Sequence, residues 1–305
     1  MPMPPLPDLL IRPIIKTALH EDLGRSGDLT SATLLDPKSQ FQGQIVARQA
    51  GLLCGIDFAR ITFATLDEKI AFTPLIRDGS LLQKGDVIAN LHGAAQSILM
   101  GERVALNFLT HLSGIASMTS EMVAAIAGNQ AKLTDTRKTL PGLRMAQKYA
   151  VRVGGGVNHR FGLDDAILIK DNHIAAVGSV TESLQRARQR LGHMVKIELE
   201  VDSIAQIKEM LAGPPQFWPD CLLLDNMSPS VLRDAVHLVR QGEQAMRNSR
   251  HFVHFSKITL EASGGVTLKT IGAIAASGVD VISCGKLTMS ANALDIALDA
   301  NVNKT

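Results

Sequence analysis

Two patterns of apolar and polar positions divide the chain. Between residues 41 and 98, short β-like runs are separated by turn sequences such as Asp78-Gly79, which predicts a small sheet-rich module. From Leu99 to about Ile126 the apolar positions take a helical spacing, with an interruption at Ser113-Gly114. The change from strand-like to helical spacing indicates a domain junction.

After this junction, short apolar runs alternate with amphipathic, helix-like stretches. Alternation of this kind predicts parallel strands joined by right-handed helical crossovers, hence an α/β sheet or barrel. Six runs are visible and a seventh strand would fit near residues 151–160, which favours an incomplete barrel. The polar stretch over residues 241–255 predicts an extended surface loop. The six runs are AKLTDT, AILIKD, VKIELEV, CLLLDN, ITLEASG and DVISCG.

The length and composition agree with two globular domains. A chain of 305 residues is long for one hydrophobic core, so we divide it into residues 1–115 and 116–305. Hydrophobic residues make up 46% and charged residues 20% of the chain, which excludes a disordered protein. The net charge is only +2, so no general positive field would attract nucleic acid or anionic lipid.

Chemically active side chains collect where the six apolar runs end. In a β/α barrel the carboxyl ends of the strands meet on one face, where active sites are built. A single charged residue at a strand end is commonly a loop residue, but six successive ends of this kind favour a shared pocket. The runs are followed by Arg137-Lys138, Lys170-Asp171, Glu200, Asp225, Ser263-Gly264-Gly265 and Gly285-Lys286.

The glycine-containing ends suit a phosphate group. Ser263, Gly264 and Gly265 follow a strand and precede a helix that we expect to begin near Thr267, so free backbone N–H groups would face a ligand. Gly285 ends the neighbouring strand. Paired loops after the last two strands are the recurring phosphate site of barrel enzymes.

Glu200 and Asp225 end adjacent runs and offer hard oxygen ligands, which predicts a Mg²⁺ site shared with substrate phosphates. The alternatives are two loop carboxylates, or ion-pair partners of Lys170. Glu198 lies on the same strand face, but deeper, so Glu200 is preferred.

Five cationic residues are concentrated in a nearly neutral chain, which predicts a ligand with several negative charges. The alternatives are a solvated charged face or a nucleic-acid patch. A single Trp and a single Tyr leave little to stack on bases, which counts against nucleic acid. The cations are Arg137, Lys138, His159, Arg160 and Lys170.

Three other features point to ordinary structure. The cysteines Cys54, Cys221 and Cys284 are few, odd in number and set in apolar runs, as in a reduced cytoplasmic protein. No signal peptide and no membrane span are expected. Residues 20–31 hold His20, Glu21, Asp22 and Asp28, which we interpret as a capped loop rather than a metal site.

The segment VGGGVNHRFG, residues 153–162, raises a choice between a phosphate loop and a bend. Its three glycines follow a helix-like stretch instead of opening one, so a helix N-terminus does not stand behind them. We expect the glycines to let the chain bend sharply and present His159 and Arg160 to a ligand.

Several long segments resemble one family. The segments HEDLGRSGDLTS, GERVALNFLTHLSGIAS, IELEVDS, LLLDNMSP, LEASGGV and GVDVISCGKLTMS, together with the block TDTRKTLPGLRMAQKYAVRVGGGVNHRFGLDDAILIKDNHI, are similar in order and spacing to quinolinate phosphoribosyltransferases. The similarity extends from about residue 14 to 300. Lys286 and Met289 lie in a segment that varies across the family, and the loop from about 241 to 256 looks extended.

The resemblance implies an N-terminal α/β sandwich domain, a C-terminal incomplete α/β barrel and a homodimer, or a higher oligomer, with shared active sites. It implies a Mg²⁺-dependent pentosyltransferase of NAD biosynthesis that converts quinolinate and phosphoribosyl pyrophosphate (PRPP) into nicotinate mononucleotide, pyrophosphate and CO2.

The resemblance also implies individual roles. Arg137, His159, Arg160 and Lys170 would surround quinolinate, and Arg103 would reach the quinolinate of the neighbouring subunit. Lys138 would serve the phosphoribosyl donor, and Glu200 and Asp225 would face ribose and metal. The 5′-phosphate would be held by Ser263, Gly264, Gly265 and Gly285.

Three other functions stay open at this level. One is a paralogous phosphoribosyltransferase of the type associated with molybdate transport. Another is an aldolase-like lyase in which Lys170 forms a Schiff base. The third is a non-catalytic binding protein for phosphorylated metabolites.

Overall fold

A computed structural model describes residues 4–248 and 256–300. Within the described residues, the chain forms two compact units, and each is drawn from separate stretches of sequence. The first unit comprises residues 4–120, 139–156 and 287–300, and the second comprises 121–138 and 157–286. The sequence division at 115/116 therefore differs from the division by compactness, because two later stretches belong to the first unit.

The first unit is built on a four-stranded antiparallel sheet in the order β12-β1-β5-β3, with a separate β2-β4 pair. The predicted β-like runs GQIVARQA, IAFTPLI and DVIANLHG correspond to β1, β3 and β5. The C-terminal strand β12 was not expected there; it pairs with β1 over Gly43–Ala47. The strands are β1 (Gln40–Ala47), β2 (Gly51–Leu52), β3 (Ala71–Pro74), β4 (Leu81–Leu82), β5 (Val87–Ala94) and β12 (Ile296–Ala300).

Apolar side chains of this sheet pack against helices in a continuous core that includes Ile45, Phe63, Leu91, Leu109 and Ile296. The predicted helix from Leu99 is longer and unbroken. The helices are α1 (Asp8–Leu23), α2 (Leu29–Leu34), α3 (Ile56–Leu66), α4 (Ala95–Ala125), whose end enters the second unit, and α5 (Arg144–Val153).

Ser113-Gly114 does not interrupt α4, contrary to the sequence prediction. A Cβ atom at Gly114 would lie 2.0 Å from the backbone oxygen of Asn292, so the glycine permits close packing against another segment. The hydroxyl of Ser113 accepts a hydrogen bond from the Cys54 amide at 2.9 Å. Both small residues thus serve tertiary contacts and leave the helix intact.

The segment 20–28 also differs from the prediction of a single loop. His20, Glu21 and Asp22 belong to the last turn of α1. Asp28 caps α2, because its side chain accepts a hydrogen bond from the Ser31 amide at 3.0 Å. The capping role is confirmed, whereas the loop is confined to the few residues between the two helices.

The second unit contains a six-stranded parallel sheet in the order β6-β11-β10-β9-β8-β7, and its strands correspond to the six predicted runs. This confirms the predicted combination of an N-terminal α/β sandwich and a C-terminal incomplete α/β barrel. The strands are β6 (Lys132–Thr134), β7 (Ile167–Ile169), β8 (Ile197–Val201), β9 (Cys221–Asp225), β10 (Thr259–Ser263) and β11 (Val281–Ser283).

Helices connect these strands, and two of them are capped at their N-termini by serines. Ser179 and Ser228 accept hydrogen bonds from the amides of Glu182 and Val231, which caps the following helices. The helices are α6 (Asp171–Val177), α7 (Val180–Arg190), α8 (Ile204–Ala212), α9 (Pro229–Arg247), α10 (Ile271–Ala275) and α11 (Lys286–Met289), with a 3₁₀ turn at Pro215–Phe217.

Two expectations for this unit were wrong. A seventh strand over residues 151–160 does not form: α5 occupies the start of that stretch, and a single bridge joins Val157 to Thr134. The expected loop from residue 241 is helical as far as Arg247, because α9 buries Val239 and Glu243 on one face. Residues 249–255 lie outside the described part of the chain.

Candidate functional site in the second unit

The parallel sheet has one apolar face and one polar face. Register places Glu200, Leu223, Glu261 and Val281 side by side, and Asp225, Ser263, Ser283 and Thr134 two residues further along the strands. The alternate positions, such as Leu224 and Ala262, are apolar and buried. Because side chains alternate along a strand, the acidic and hydroxyl groups share the face opposite the apolar one.

Lys170 and Glu200 meet at the carboxyl edge of this sheet. The Nζ atom of Lys170, which follows β7, lies 2.9 Å from Oε2 of Glu200 on β8. Ion pairing with Lys170 was one of the alternatives for Glu200. The pair leaves Glu200 at the strand end where the sequence predicted it, with its charge balanced by a neighbour.

A cavity of about 600 Å³ beside β7 collects three of the predicted cations. Arg137, Arg160 and Lys170 all line it, together with His173 and Leu168. Burial and the nearby charge of Arg137 lower the pKa of the Arg160 guanidinium below its usual value. Two guanidinium groups that repel one another in a partly buried cavity favour an anion between them.

Arg160 is oriented by the backbone. Its Nη1 atom donates to the carbonyl oxygen of Ala166 at 2.6 Å, and its amide donates to Nδ1 of His159 at 2.9 Å. The guanidinium is therefore held at the cavity by contacts within the 159–166 loop.

His159 lies against carboxyl groups that the sequence reasoning did not select. Its Nε2 atom is 3.0 Å from Oε2 of Glu198 and 3.6 Å from Oε1 of Glu261. Both carboxyl groups are buried in the polar face of the sheet. Burial and the neighbouring Glu198 raise the pKa of Glu261. The sequence could have indicated these two carboxyl groups through the two-residue period of a strand, which puts Glu198 on the same face as Glu200 and Glu261 on the same face as Ser263.

The predicted phosphate loop has a specific backbone. Gly264 has φ +90, and a Cβ atom there would lie 2.1 Å from Oδ1 of Asn226. Asn226 in turn donates its amide to the carbonyl oxygen of Ser263 at 2.8 Å. Glycine is therefore required at 264 by both conformation and space.

The helix after this loop begins later than predicted. It starts at Ile271 and not near Thr267, and it has five residues. The side chains of Thr267 and Thr270 bond local backbone groups and each other, which holds a turn in place of the expected first helical turn. The support for a phosphate therefore comes from the loop amides and not from a long helix.

Gly285 approaches Lys138 closely. A Cβ atom at Gly285 would lie 2.9 Å from Cδ of Lys138 and 3.4 Å from the hydroxyl oxygen of Thr136. The absence of a side chain lets the aliphatic part of Lys138 cross the end of β11. The structure thereby brings together two residues that the sequence assigned to the phosphorylated substrate.

The donor set at the sheet edge is compatible with Mg²⁺. Glu200 and Asp225 lie on the same face of neighbouring strands, and both side chains are partly accessible. Carboxylates with room for water are what Mg²⁺ requires. Asp225 also accepts a hydrogen bond from Nδ2 of Asn226 at 3.0 Å, which fixes one oxygen.

His159, Glu198 and Glu261 are a second group whose ligand atoms lie within 4.8 Å of one another. The Nδ1 atom of His159 accepts the Arg160 amide, so the proton of a neutral ring is on Nε2, the atom that faces the carboxyl groups. A ring that donates through Nε2 cannot also use it as a metal ligand. This group therefore does not suit a metal.

Arg103 belongs to the first unit and is exposed on α4. Its contact with the ligand of a neighbouring subunit stays a prediction. A larger cavity of about 750 Å³ also lies in the first unit, between α1, α4 and residues 140–143. Its lining is largely apolar and includes none of the predicted site residues, so it is not the candidate site.

Family models match both halves of the chain. The model described as "Quinolinate phosphoribosyl transferase, C-terminal domain" matches residues 115–299, and the model of the N-terminal domain matches residues 28–113. The chain is a member of the quinolinate phosphoribosyltransferase family. The resemblance stated from sequence motifs is therefore confirmed.

Relatives in this family cover nearly the whole chain. A "Probable nicotinate-nucleotide pyrophosphorylase [carboxylating]" of Bacillus subtilis is 43% identical over 97% of this chain and 95% of its own length. The "Nicotinate-nucleotide pyrophosphorylase [carboxylating]" of Mycobacterium leprae is 41% identical over 94% of this chain and 96% of its own.

Solved structures of the family have the same fold. The nicotinate-nucleotide pyrophosphorylase from Francisella tularensis matches with a TM-score of 0.86 and 36% identity, covering 97% of this chain and 98% of its own. NadC from Streptococcus pyogenes matches with a TM-score of 0.85 and 38% identity, covering 96% and 98%. In the described part of this family member, no helix has the length and apolar character needed to span a membrane.

Proposed function

We propose that this chain is a pentosyltransferase that joins quinolinate to the phosphoribosyl group of PRPP, releasing pyrophosphate and CO2 and forming nicotinate mononucleotide. The observation that carries the proposal is the cavity lined by Arg137, Arg160 and Lys170, in a chain that matches the family over both domains. The names of the relatives agree with this activity.

The three cations that line the cavity suit quinolinate, the acceptor of the phosphoribosyl group. Quinolinate carries two carboxylates next to each other on a pyridine ring, so a site for it must offset two negative charges within one small volume. Arg137 and Arg160 supply planar donor pairs that match carboxylates, and Lys170 supplies a compact charge. Leu163 and Leu168 in the same lining offer apolar surface to the ring.

The loops at the carboxyl edge of the sheet suit PRPP, the phosphoribosyl donor. We assign the 5′-phosphate to Ser263, Gly264, Gly265 and Gly285, because the backbone amides of glycines let a phosphate approach closely. Lys138 is assigned to the phosphoribosyl donor from the family resemblance. Glu200 and Asp225 would hold Mg²⁺. When bound, Mg²⁺ would offset the negative charge of the pyrophosphate group.

The reaction then depends on positioning. The ring nitrogen of quinolinate attacks the anomeric carbon of the ribose as the bond to pyrophosphate breaks, through an oxocarbenium-like state. The ring nitrogen is then positively charged, which stabilises the negative charge left on the ring carbon when the adjacent carboxylate departs as CO2. Fixed cations around the ring add to this stabilisation, and a proton from water then completes nicotinate mononucleotide.

A Schiff-base lyase is not favoured. Such an enzyme needs a deprotonated lysine, whereas Lys170 is in an ion pair with Glu200. The paralogue associated with molybdate transport has no support in the names of the relatives. A shared-site homodimer, with Arg103 reaching the partner subunit, and a cytoplasmic location remain predictions.

The test is direct. The purified chain is incubated with quinolinate carboxyl-labelled next to the ring nitrogen, PRPP and MgCl2, and labelled CO2 and nicotinate mononucleotide are measured together. Equal amounts of both products are expected, with no product when nicotinate replaces quinolinate or when EDTA replaces MgCl2. Turnover of nicotinate without CO2 release, or no turnover of either acid, would overturn the proposal.

A further inference from the structure

Two buried carboxyl groups lie below the cavity without a role in the proposed function. Glu198 on β8 is 6% exposed and Glu261 on β10 is 4% exposed. Burying an unpaired carboxylate is costly, so both groups need a partner or a proton. The side chain of His159 reaches both of them.

The hydrogen-bond pattern fixes the direction of this contact. Since Nδ1 of His159 accepts from the Arg160 amide, a neutral ring carries its proton on Nε2 and donates it to Glu198 at 3.0 Å. A second proton on Nδ1 would face the Arg160 N–H, and two donors cannot share that contact. The arrangement therefore requires one tautomer of His159.

The same segment is fixed from its other side. Asp135, which follows β6, accepts the amide of His159 at 3.0 Å and the side-chain amide of Asn158 at 2.5 Å. Residues 158–160 are thus attached to groups from β6, β8 and β10. The backbone of Arg160 is bound to the ring of His159, so rotation of that ring would disturb Arg160.

The two carboxyl groups also lie close to each other, because the ligand atoms of His159, Glu198 and Glu261 are all within 4.8 Å of one another. The other groups that face the two carboxyl groups are the thiol of Cys221, the hydroxyl of Ser283 and the guanidinium of Arg160. A substitution at either carboxyl group therefore changes the surroundings of the Nε2 atom of His159.

We propose that Glu198 and Glu261 are positioning residues that hold His159 as its Nε2–H tautomer and, through its Nδ1 atom, set the orientation of Arg160 in the substrate cavity. The inference rests on the proposed function only for the identity of the substrate. It predicts that loss of the carboxyl acceptor at Nε2 lets the ring of His159 rotate and releases the Arg160 amide from Nδ1.

Kinetics of three variants test the role. Glu198→Gln is expected to raise KM for quinolinate roughly ten- to hundredfold, because the donor on His159 loses its charged acceptor, while KM for PRPP changes little. Glu198→Asp should recover part of the loss. Glu261→Gln should raise KM for quinolinate less than Glu198→Gln, because Glu261 lies farther from Nε2 of His159, at 3.6 Å against 3.0 Å.

Glu243→Gln is the matched control. Glu243 is also a buried glutamate of the second unit, but it bonds Arg240 and the Ile258 amide. Its replacement should lower the melting temperature without changing the ratio of the two KM values. If Glu198→Gln behaves like this control, or if Glu261→Gln raises the KM of both substrates equally, the proposal is wrong.

Nitrogen NMR of the imidazole rings separates this proposal from the proposed function and does not require the glutamate variants to fold. With ¹⁵N-labelled histidine, His159 of the unsubstituted chain should give the signals of a neutral ring protonated at Nε2, assigned by their loss in His159→Gln. A ring protonated at Nδ1 at pH 7 overturns the inference, whether or not the chain turns over quinolinate.

Discussion

At the scale of single residues, repulsion between Arg137 and Arg160 is the clearest sign of a ligand. The two guanidinium groups line the same cavity, and the charge of Arg137 contributes to the lowered pKa of Arg160. Bound carboxylates would relieve this repulsion. The strain present without substrate thus becomes part of the selectivity for an anion with two charges.

Replacement of Arg160 tests this argument. Arg160→Ala should raise KM for quinolinate by an amount that corresponds to about 2 to 3 kcal/mol, the usual loss for a charge-assisted hydrogen bond. Arg160→Lys should recover only part of it, because lysine keeps the charge but not the paired donors. Arg233→Ala, an exposed arginine on α9, is the control. Unchanged steady-state kcat/KM for quinolinate in Arg160→Ala would contradict the assignment.

At the scale of elements, the three glycines 154–156 explain how α5 ends and the next segment begins. A Cβ atom at Gly154 would lie 2.5 Å from the backbone oxygen of Ala116, and one at Gly156 would lie 2.8 Å from Cγ1 of Val151. Gly155 is exposed and has φ +91. Two glycines thus permit close packing and the middle one permits the bend, which is the role expected from the sequence.

Gly155→Ala isolates the conformational part of this role. Gly155 is exposed, so the cost should be that of a positive φ, about 1 to 2 kcal/mol in the free energy of unfolding by urea. Gly192→Ala is the matched control, since Gly192 is also exposed but has no positive φ. Gly154→Ala should cost more than Gly155→Ala, because the Ala116 carbonyl cannot move without disturbing α4. Equal stabilities of the Gly155 and Gly192 variants would refute this explanation.

The elements also show what the sequence could reveal. The six parallel strands were predictable because each is a short apolar run bounded by polar residues, and the pattern is local. The pairing of β12 with β1 joins residues about 250 positions apart, and no local pattern records it. Glu198 and Glu261 were missed for a similar reason: their role depends on His159, which comes from a different loop.

At the scale of the second unit as a whole, function and stability occupy opposite edges of the parallel sheet. The cations, Glu200, Asp225 and the glycine loops lie at the carboxyl edge. At the amino edge, Asp220 bonds Arg188, Lys196 and the Ile197 amide, and Asp280 bonds Arg240, Lys257 and the Leu260 amide. This separation is common in barrel enzymes and lets one edge change without loss of the fold.

Asp280 provides the test of this separation. Burial would raise its pKa, but the bonds from Lys257, the Leu260 amide and Arg240 outweigh burial and lower it below 3.8. A carboxyl group with a lowered pKa stabilises the folded state fully at a pH above its pKa in the unfolded chain. This stabilisation is lost as the pH falls through its pKa in the folded state. Asp280→Asn should therefore cost about 1 to 3 kcal/mol at pH 7, and the difference from the unsubstituted chain should shrink below about pH 3.8.

Urea unfolding at pH 7 and at pH 3 measures this difference, with Asp234→Asn on the exposed face of α9 as the control. The quinolinate and PRPP KM values of Asp280→Asn should stay unchanged at temperatures where the variant is folded, because the substituted side chain lies at the edge away from the cavity. A selective rise in the KM of one substrate would mean that the amino edge of the sheet also determines the geometry of Arg160 and Lys170.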